Sequence, residues 1–231
     1  KCIAIRADMD ALPVNEETGV EFASENEGVM HACGHDMHIT ILLTAARIFN
    51  EVKDEIPGTV KLIFQPAEEI ATGALDMMAD GVLDGVDAMF GMHVWSELPA
   101  GKISLEAGGR MGATDQFHID ITGKSGHAAL PHNCKDATPA MAATILNLQT
   151  VVSRCCNPVR PLVLTVGQAA SGSRWNVISG AATIDGTVRS LDDQTRDMAE
   201  AALKRIAAET AAAFGCTASV KYDRLCDVVN N

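Results

Sequence analysis

The stretch MHACGHDMH at residues 30–38 gathers His31, Cys33, His35, Asp36 and His38 into one short segment. Imidazole and thiolate are ligands that suit a zinc-like ion. Cys33 and His35 stand two apart, and in an extended loop alternate residues point the same way, so both can reach one centre. Other chemistry follows three apolar runs: Asp8-Met9-Asp10 after CIAIRA, Pro66-Ala67-Glu68-Glu69 after KLIFQ, and His93 after DAMFGM. Structural zinc centres usually close with several cysteines at CxxC spacing. Cys33, His35, Glu69 and His93 form a mixed, oxygen-containing set, closer to hydrolytic sites that keep a position for water. Glu68 and Glu69 are neighbours whose side chains are expected to diverge, so that one holds metal and the other faces its water. A metal lowers the pKa of that water to ~7, and a nearby carboxylate can take the proton. His31 and His38 read as supporting loop residues.

These residues need elements to position them. CIAIRA (2–7), TVKLIFQ (59–65) and DAMFGMH (87–93) read as strands, and 39–52 and 68–79 as helices between them. Strands alternating with helices predict a mainly parallel sheet covered on its faces. Ligands bind such sheets at the carboxyl ends of the strands, where all three sets of polar residues fall. Around Gly108-Gly109 the pattern changes. DQFHIDITG (115–123) alternates, with Phe117, Ile119 and Ile121 on one face and His118 and Asp120 on the other. Thr138-Pro139 reads as the start of a helix to about 154, followed by strands at 161–168 and 181–190. A long helix from Asp192 or Asp193 stops at Gly215, before a last strand at 216–222. That order, βαββαβ, is the ferredoxin-like layout. The expected division is 1–107 as part of an α/β domain, 108–222 as a ferredoxin-like domain, and 223–231 as the start of a return to the first.

The bulk composition narrows the partners. The chain has 231 residues and is 47% hydrophobic but only 4% aromatic, so its core must be mainly aliphatic. A formal charge of −12 argues against nucleic acid and against an anionic membrane surface. No apolar run approaches the ~20 residues of a membrane span. The seven cysteines are scattered rather than arranged as a disulfide framework, which suggests a reducing, cytoplasmic compartment. The chain opens on a strand and stops without a closing element, which reads as an internal piece of a longer protein.

RADMDALP (6–13), MHACGHDMH, FQPAEE (64–69) and FGMH (90–93) together resemble the motifs of metal-dependent amidohydrolases of N-acylated amino acids. These form the hippurate hydrolase, bacterial aminoacylase and auxin-conjugate hydrolase branch of the aminoacylase–carboxypeptidase metallopeptidases. GKSGHAALPH (123–132) and RWNVISGAATIDGTVR (174–189) carry the resemblance through the second half. It implies a two-metal site for Zn, Mn, Co or Ni, with Cys33, His35, Glu69 and His93 as ligands. Glu68 would be the general base, and Asp10 would orient His35 from outside the ligand set. The ferredoxin-like part would be an inserted lid and dimerisation domain. Its His127 would polarise the scissile carbonyl in a partner's site, while Asn176 and Arg189 hold the substrate carboxylate, a task suited to the guanidinium fork.

The implied reaction is hydrolysis of an N-acyl amino acid by a metal-activated hydroxide, with the protein as a homodimer. A dipeptidase or aminopeptidase of the same fold is the alternative, or a non-catalytic metal-binding dimerisation module. Two departures stand out: the family's further His ligand near its C-terminus has no counterpart after Tyr222, and Ser179 stands where the family often has Pro.

Overall fold

The computed structural model describes all 231 residues, which form two compact units, Lys1–Ile103 and Ser104–Asn231. In the first unit, β1 (Cys2–Asp8) is flanked by β2 (Thr59–Gln65) and β3 (Ala88–Gly91), all parallel, with Ile5 opposite both Leu62 and Phe90. Helix α1 (His35–Glu51) joins β1 to β2, and α2 (Gly73–Ala79) lies between β2 and β3. The order β2-β1-β3 puts the first strand in the middle. Its chain leaves toward one neighbour, and the other neighbour is reached by crossing over. In doubly wound sheets that reversal opens a crevice at the carboxyl ends of the two strands. Ala4, Ala7, Ile63 and Leu42 are the buried apolar side chains here.

Two expected boundaries shift in this unit. Helix α1 begins at His35 rather than near residue 39, and residues 68–72 form a turn rather than the start of α2. Ala67 (φ 52°) and Ala71 (φ 58°) adopt left-handed backbone, which no α-helix accommodates.

The second unit starts with β4 (Gly109–Met111) and β5 (Ala113–Thr122), then the short β6 (Gly126–His127) and α3 (Ala137–Thr150). It continues through β7 (Leu162–Ser171), β8 (Val177–Ile178), β9 (Ala181–Ser190), α4 (Asp193–Ala213), β10 (Thr217–Cys226) and β11 (Val229–Asn230). The main sheet runs β10-β5-β9-β7, fully antiparallel, and β6 pairs with β8. Phe117, Ile119 and Ile121 of β5 and Ile184 and Val188 of β9 face inward, as period-2 alternation requires. They meet Ala140 and Leu148 of α3 and Leu203 and Ala207 of α4 in one core.

The caps are aspartates. Asp192 accepts from the Thr195 N–H at 2.8 Å, and Asp136, rather than Thr138, caps α3 by accepting from the Thr138 N–H at 3.0 Å. A carboxylate two residues ahead reaches the free N–H groups of the first turn that Thr138, already inside it, cannot. Strand β10 runs past Tyr222 to Cys226, and β11 pairs with β4.

One inward position of β5 is charged. Asp115, 1% exposed, accepts from Arg196 Nε at 3.0 and 3.1 Å, from Arg196 Nη2 at 2.6 Å and from the Tyr222 hydroxyl at 2.7 Å. Arg196 also donates to the Cys226 carbonyl at 3.0 Å. The pair thus ties β5, α4 and the end of β10 together. Arg196 Nη1 also meets the exposed Asp227 at 2.6 Å, so removing Asp115 leaves the guanidinium partly matched, at a cost of about 1–3 kcal/mol. Asp115→Ala is therefore expected to lower unfolding free energy by about that amount, read from the shift in urea midpoint. A change below about 1 kcal/mol would show the pair to be dispensable.

Candidate metal centre

β1 ends on Asp8, β2 on Gln65 and β3 on Gly91, and the loops after them carry the polar residues. The fourth contributor is the start of α1. Gly34 precedes it with φ 87° and ψ 20°, and a Cβ there would lie 2.7 Å from Val94 Cγ2. Both the left-handed backbone and the lack of space demand glycine. It is this turn, not an extended loop, that lets Cys33 and His35 converge. Cys33, His35 and His93 offer ligand atoms that all lie within 4.8 Å of one another.

Backbone groups settle where the imidazole protons sit. His35 Nδ1 lies 3.0 Å from the Asp10 carbonyl, which can only accept, so His35 donates there and keeps a lone pair on Nε2. His93 Nδ1 donates in the same way to the Val94 carbonyl at 2.5 Å, leaving its Nε2 at 3.4 Å from Cys33 Sγ. In the neutral rings, therefore, Nε2 carries the lone pair and is turned into the crevice.

The Glu68-Glu69 loop is a tight turn. The Ala67 carbonyl accepts from the Thr72 and Gly73 N–H groups, and a Cβ on Gly73 would fall 1.7 Å from the Pro66 carbonyl oxygen. In this turn the two glutamates do not diverge. Glu68 Oε2 and Glu69 Oε1 each lie 3.9 Å from His35 Nε2, and Asp8 Oδ2 lies 3.8 Å from it. The other Asp8 oxygen meets the Arg6 guanidinium. Asp10 staples the loops: its Oδ2 accepts from the Glu69 N–H at 3.0 Å, and its Oδ1 is 3.3 Å from His35 Nδ1.

The electrostatics ask for a cation. Burial, then the charges of Glu69, Glu68 and Asp8, push the Cys33 thiol up to about 11. Burial, with Asp8 and Glu69 close by, also raises Glu68 above the ordinary glutamate value. For Asp10, burial acts upward, but the backbone N–H groups around it, that of Glu69 foremost, together with His35 outweigh it and the carboxyl lies below its usual value. The decisive atom is His35 Nε2. The ring is fully buried and this nitrogen has no hydrogen-bond partner, although a lone pair sits on it and three carboxylates face it. Buried polar atoms are almost always paired. A divalent ion accepting donors from Cys33, His35, Glu69, His93 and the flanking carboxylates fits this set.

The remaining expected site residues belong to the second unit. His127 on β6 pairs with Val177 of β8, and its exposed ring accepts from the Ala129 N–H at Nδ1, 3.1 Å away. In the neutral ring the proton is therefore on Nε2. Asn176, just before β8, accepts from the Ala128 N–H through its carbonyl, and its side-chain Oδ1 is buried without a partner. Arg189 stands on β9, its guanidinium donating to the Val188 carbonyl at 3.1 Å and to the Thr187 hydroxyl.

The pattern of Peptidase family M20/M25/M40 matches residues 4–222. The chain belongs to this family. It is 46% identical over 224 residues to an N-acyl-L-amino acid amidohydrolase of Geobacillus stearothermophilus, covering 96% of this chain and 60% of that protein. It is 44% identical over 220 residues to an N-acetyl-L-cysteine deacetylase of Bacillus subtilis, covering 95% of this chain and 53% of that one. The crystal structure of Bacillus subtilis YXEP, a dinuclear metal binding peptidase of the M20 family, superposes with a TM-score of 0.83 at 39% identity. That match covers all of this chain and 59% of YXEP. The chain thus spans little more than half the length of these relatives.

Two residues of this M20 site carry less definite expectations from sequence: Asp8 only as part of the Asp8-Met9-Asp10 run, and His38 as a supporting loop residue. Asp8 shares a strand parity with Asp10, and either could have been the inward carboxylate. His38 lies three residues after His35, on the same helical face, but only if the helix starts at His35. No disulfide links any of the cysteines, and no helix is long and apolar enough to cross a membrane. Because Gly34 alone permits the turn, Gly34→Ala is expected to destabilise the protein by about 1–3 kcal/mol and to weaken divalent metal binding. Thermal unfolding and elemental analysis after dialysis check both, and wild-type values in the variant would show that the turn tolerates a side chain.

Proposed function

We propose that this chain carries the metal centre and proton-transfer group of an amidohydrolase acting on N-acyl amino acids. The observation that carries the reading is the lone, buried Nε2 of His35, faced by three carboxylates at 3.8–3.9 Å. Cys33, His35, Glu69 and His93 would hold two divalent ions, with further donors from outside this chain or from Asp8. Bound there, the ions would polarise an amide carbonyl and lower the pKa of a water toward ~7. Glu68 has the properties of the proton carrier. Its carboxylate is half-buried, raised above its usual value, and beside the crevice. It takes a proton from the attacking water and returns it to the departing amine.

The second unit supplies the substrate contacts in this reading, as a lid and dimerisation domain. His127 presents an Nε2–H on an exposed ring, the tautomer needed to donate to a carbonyl oxygen as it gains charge. The buried, unpartnered Oδ1 of Asn176 and the guanidinium of Arg189 would position the amino-acid part, with Arg189 taking its carboxylate. The relatives' names point to acylated amino acids as the substrate class.

The test is hydrolysis of N-acetyl and N-benzoyl amino acids, set beside free dipeptides, by the intact polypeptide loaded with Zn, Mn, Co or Ni. Cleavage of the acylated compounds with little of the dipeptides is expected. The reverse preference would replace the amidohydrolase by a peptidase. In the same assay Glu68→Gln should keep its metal and lose about 10²–10⁴-fold in kcat. Near-normal turnover would remove Glu68 from the chemistry. Sedimentation at micromolar concentration should show a dimer, and a monomer would take His127 out of any partner's site.

A further inference from the structure

Helix α1 brings a third imidazole to the centre. His38 is 2% exposed, stacked on His35 with ring centroids 5.3 Å apart and edge-on to His93 at 4.7 Å. Its Nδ1 lies 3.5 Å from Asp8 Oδ2, so by distance alone Asp8, His35 and His38 form a third ligand group.

The hydrogen bonds say otherwise. The Val94 backbone N–H donates to His38 Nε2 at 3.0 Å. A backbone N–H can only donate, so that lone pair is taken, and the neutral ring carries its proton on Nδ1. Neither nitrogen is left for an ion. Nδ1 lies 3.5 Å from Asp8, the carboxylate that faces His35 Nε2, and makes no hydrogen bond of its own. The Val94 residue that His38 holds by its N–H is held by His93 at its carbonyl, 2.5 Å from His93 Nδ1. Its Cγ2 also sits over the Gly34 turn. His38 therefore clamps the loop that carries His93.

We infer that His38 is a positioning residue, not a ligand: through Val94 it sets where His93 meets Cys33. This deepens the proposed metal centre and rests on Cys33, His35, Glu69 and His93 holding divalent ions. Groups that orient metal ligands typically change affinity about 10–100-fold when removed.

Cobalt(II) is the probe, because its visible bands report ligand geometry and its near-ultraviolet absorption reports thiolate ligation. Wild type, His38→Ala and His38→Gln are titrated with cobalt against a competing chelator, and thermal unfolding of each metal-free protein is recorded. Gln keeps an acceptor where Nε2 was and so can still hold the Val94 N–H. The expected result is a cobalt affinity about 10–100-fold weaker with altered bands in His38→Ala, and recovery of most of both in His38→Gln. Wild-type affinity and spectrum in His38→Ala would overturn the inference. So would equal cobalt loss in both variants, since a ligand role predicts no rescue by Gln. If wild type itself binds no cobalt with thiolate absorption, the metal centre falls and this role with it.

Discussion

Three carboxylates face one buried imidazole nitrogen, and the protein offsets their charge only in part, through Arg6 at Asp8. Two unit charges 4 Å apart repel by about 4 kcal/mol at an effective dielectric of 20. Asp8, Glu68 and Glu69 crowd His35 Nε2, and the Cys33 thiol is held at about 11 beside them. Relief comes from protons or from a cation. A proton on Glu68 fits its raised value, but in the neutral His35 ring Nε2 still has no partner. A divalent ion answers both at once, and the family to which the chain belongs includes a dinuclear metal binding relative.

The backbone is what makes such crowding possible. Each donor arrives on a different segment: the ends of three parallel strands and the first turn of one helix. Parallel strands deliver their carboxyl ends to the same side, so the loops need be only a few residues long. The local conformations are then unusual where the donors must meet. Gly34 is left-handed beneath Val94, and Ala67 and Ala71 are left-handed on either side of Glu68 and Glu69. An alanine in that region is held there by its surroundings at a cost of about 1 kcal/mol or more. Here the surroundings are the Ala67 carbonyl bonds to Thr72 and Gly73 and the Asp10 bond to Glu69.

This explains what could and could not be seen in the residues. The apolar runs before Asp8, Glu68 and His93 were legible as strands because their composition is extreme, and the alternation of Phe117, Ile119 and Ile121 announced one buried face. The family was legible from its motifs. The geometry between motifs was not. Nothing in the spacing of Cys33 and His35 reveals a left-handed Gly34, and nothing in an adjacent glutamate pair reveals that Ala67 will break the helix. His38 looked like a loop residue because the helix start was set too late. Its tautomer, which decides between ligand and support, depends on Val94, a residue 56 positions away.

The two units solve the problem of buried charge in opposite ways. In the second, Asp115 is matched inside the protein: Arg196 and Tyr222 fill its acceptor sites, and a broad aliphatic core surrounds the pair. In the first, the buried polar side chains Asp8, His35, His38 and Gln65 stand against Ala4, Ala7, Leu42 and Ile63 as the buried apolar ones. Among them His35 Nε2 is buried without a partner, a cost that so small an apolar set offsets poorly. The missing partner is the ion. Because no such site is assembled in an unfolded chain, the free energy of binding it counts toward folding. On this reading the metal acts on the first unit twice: it supplies the chemistry of the crevice, and it is the counter-charge that allows the strand ends to converge.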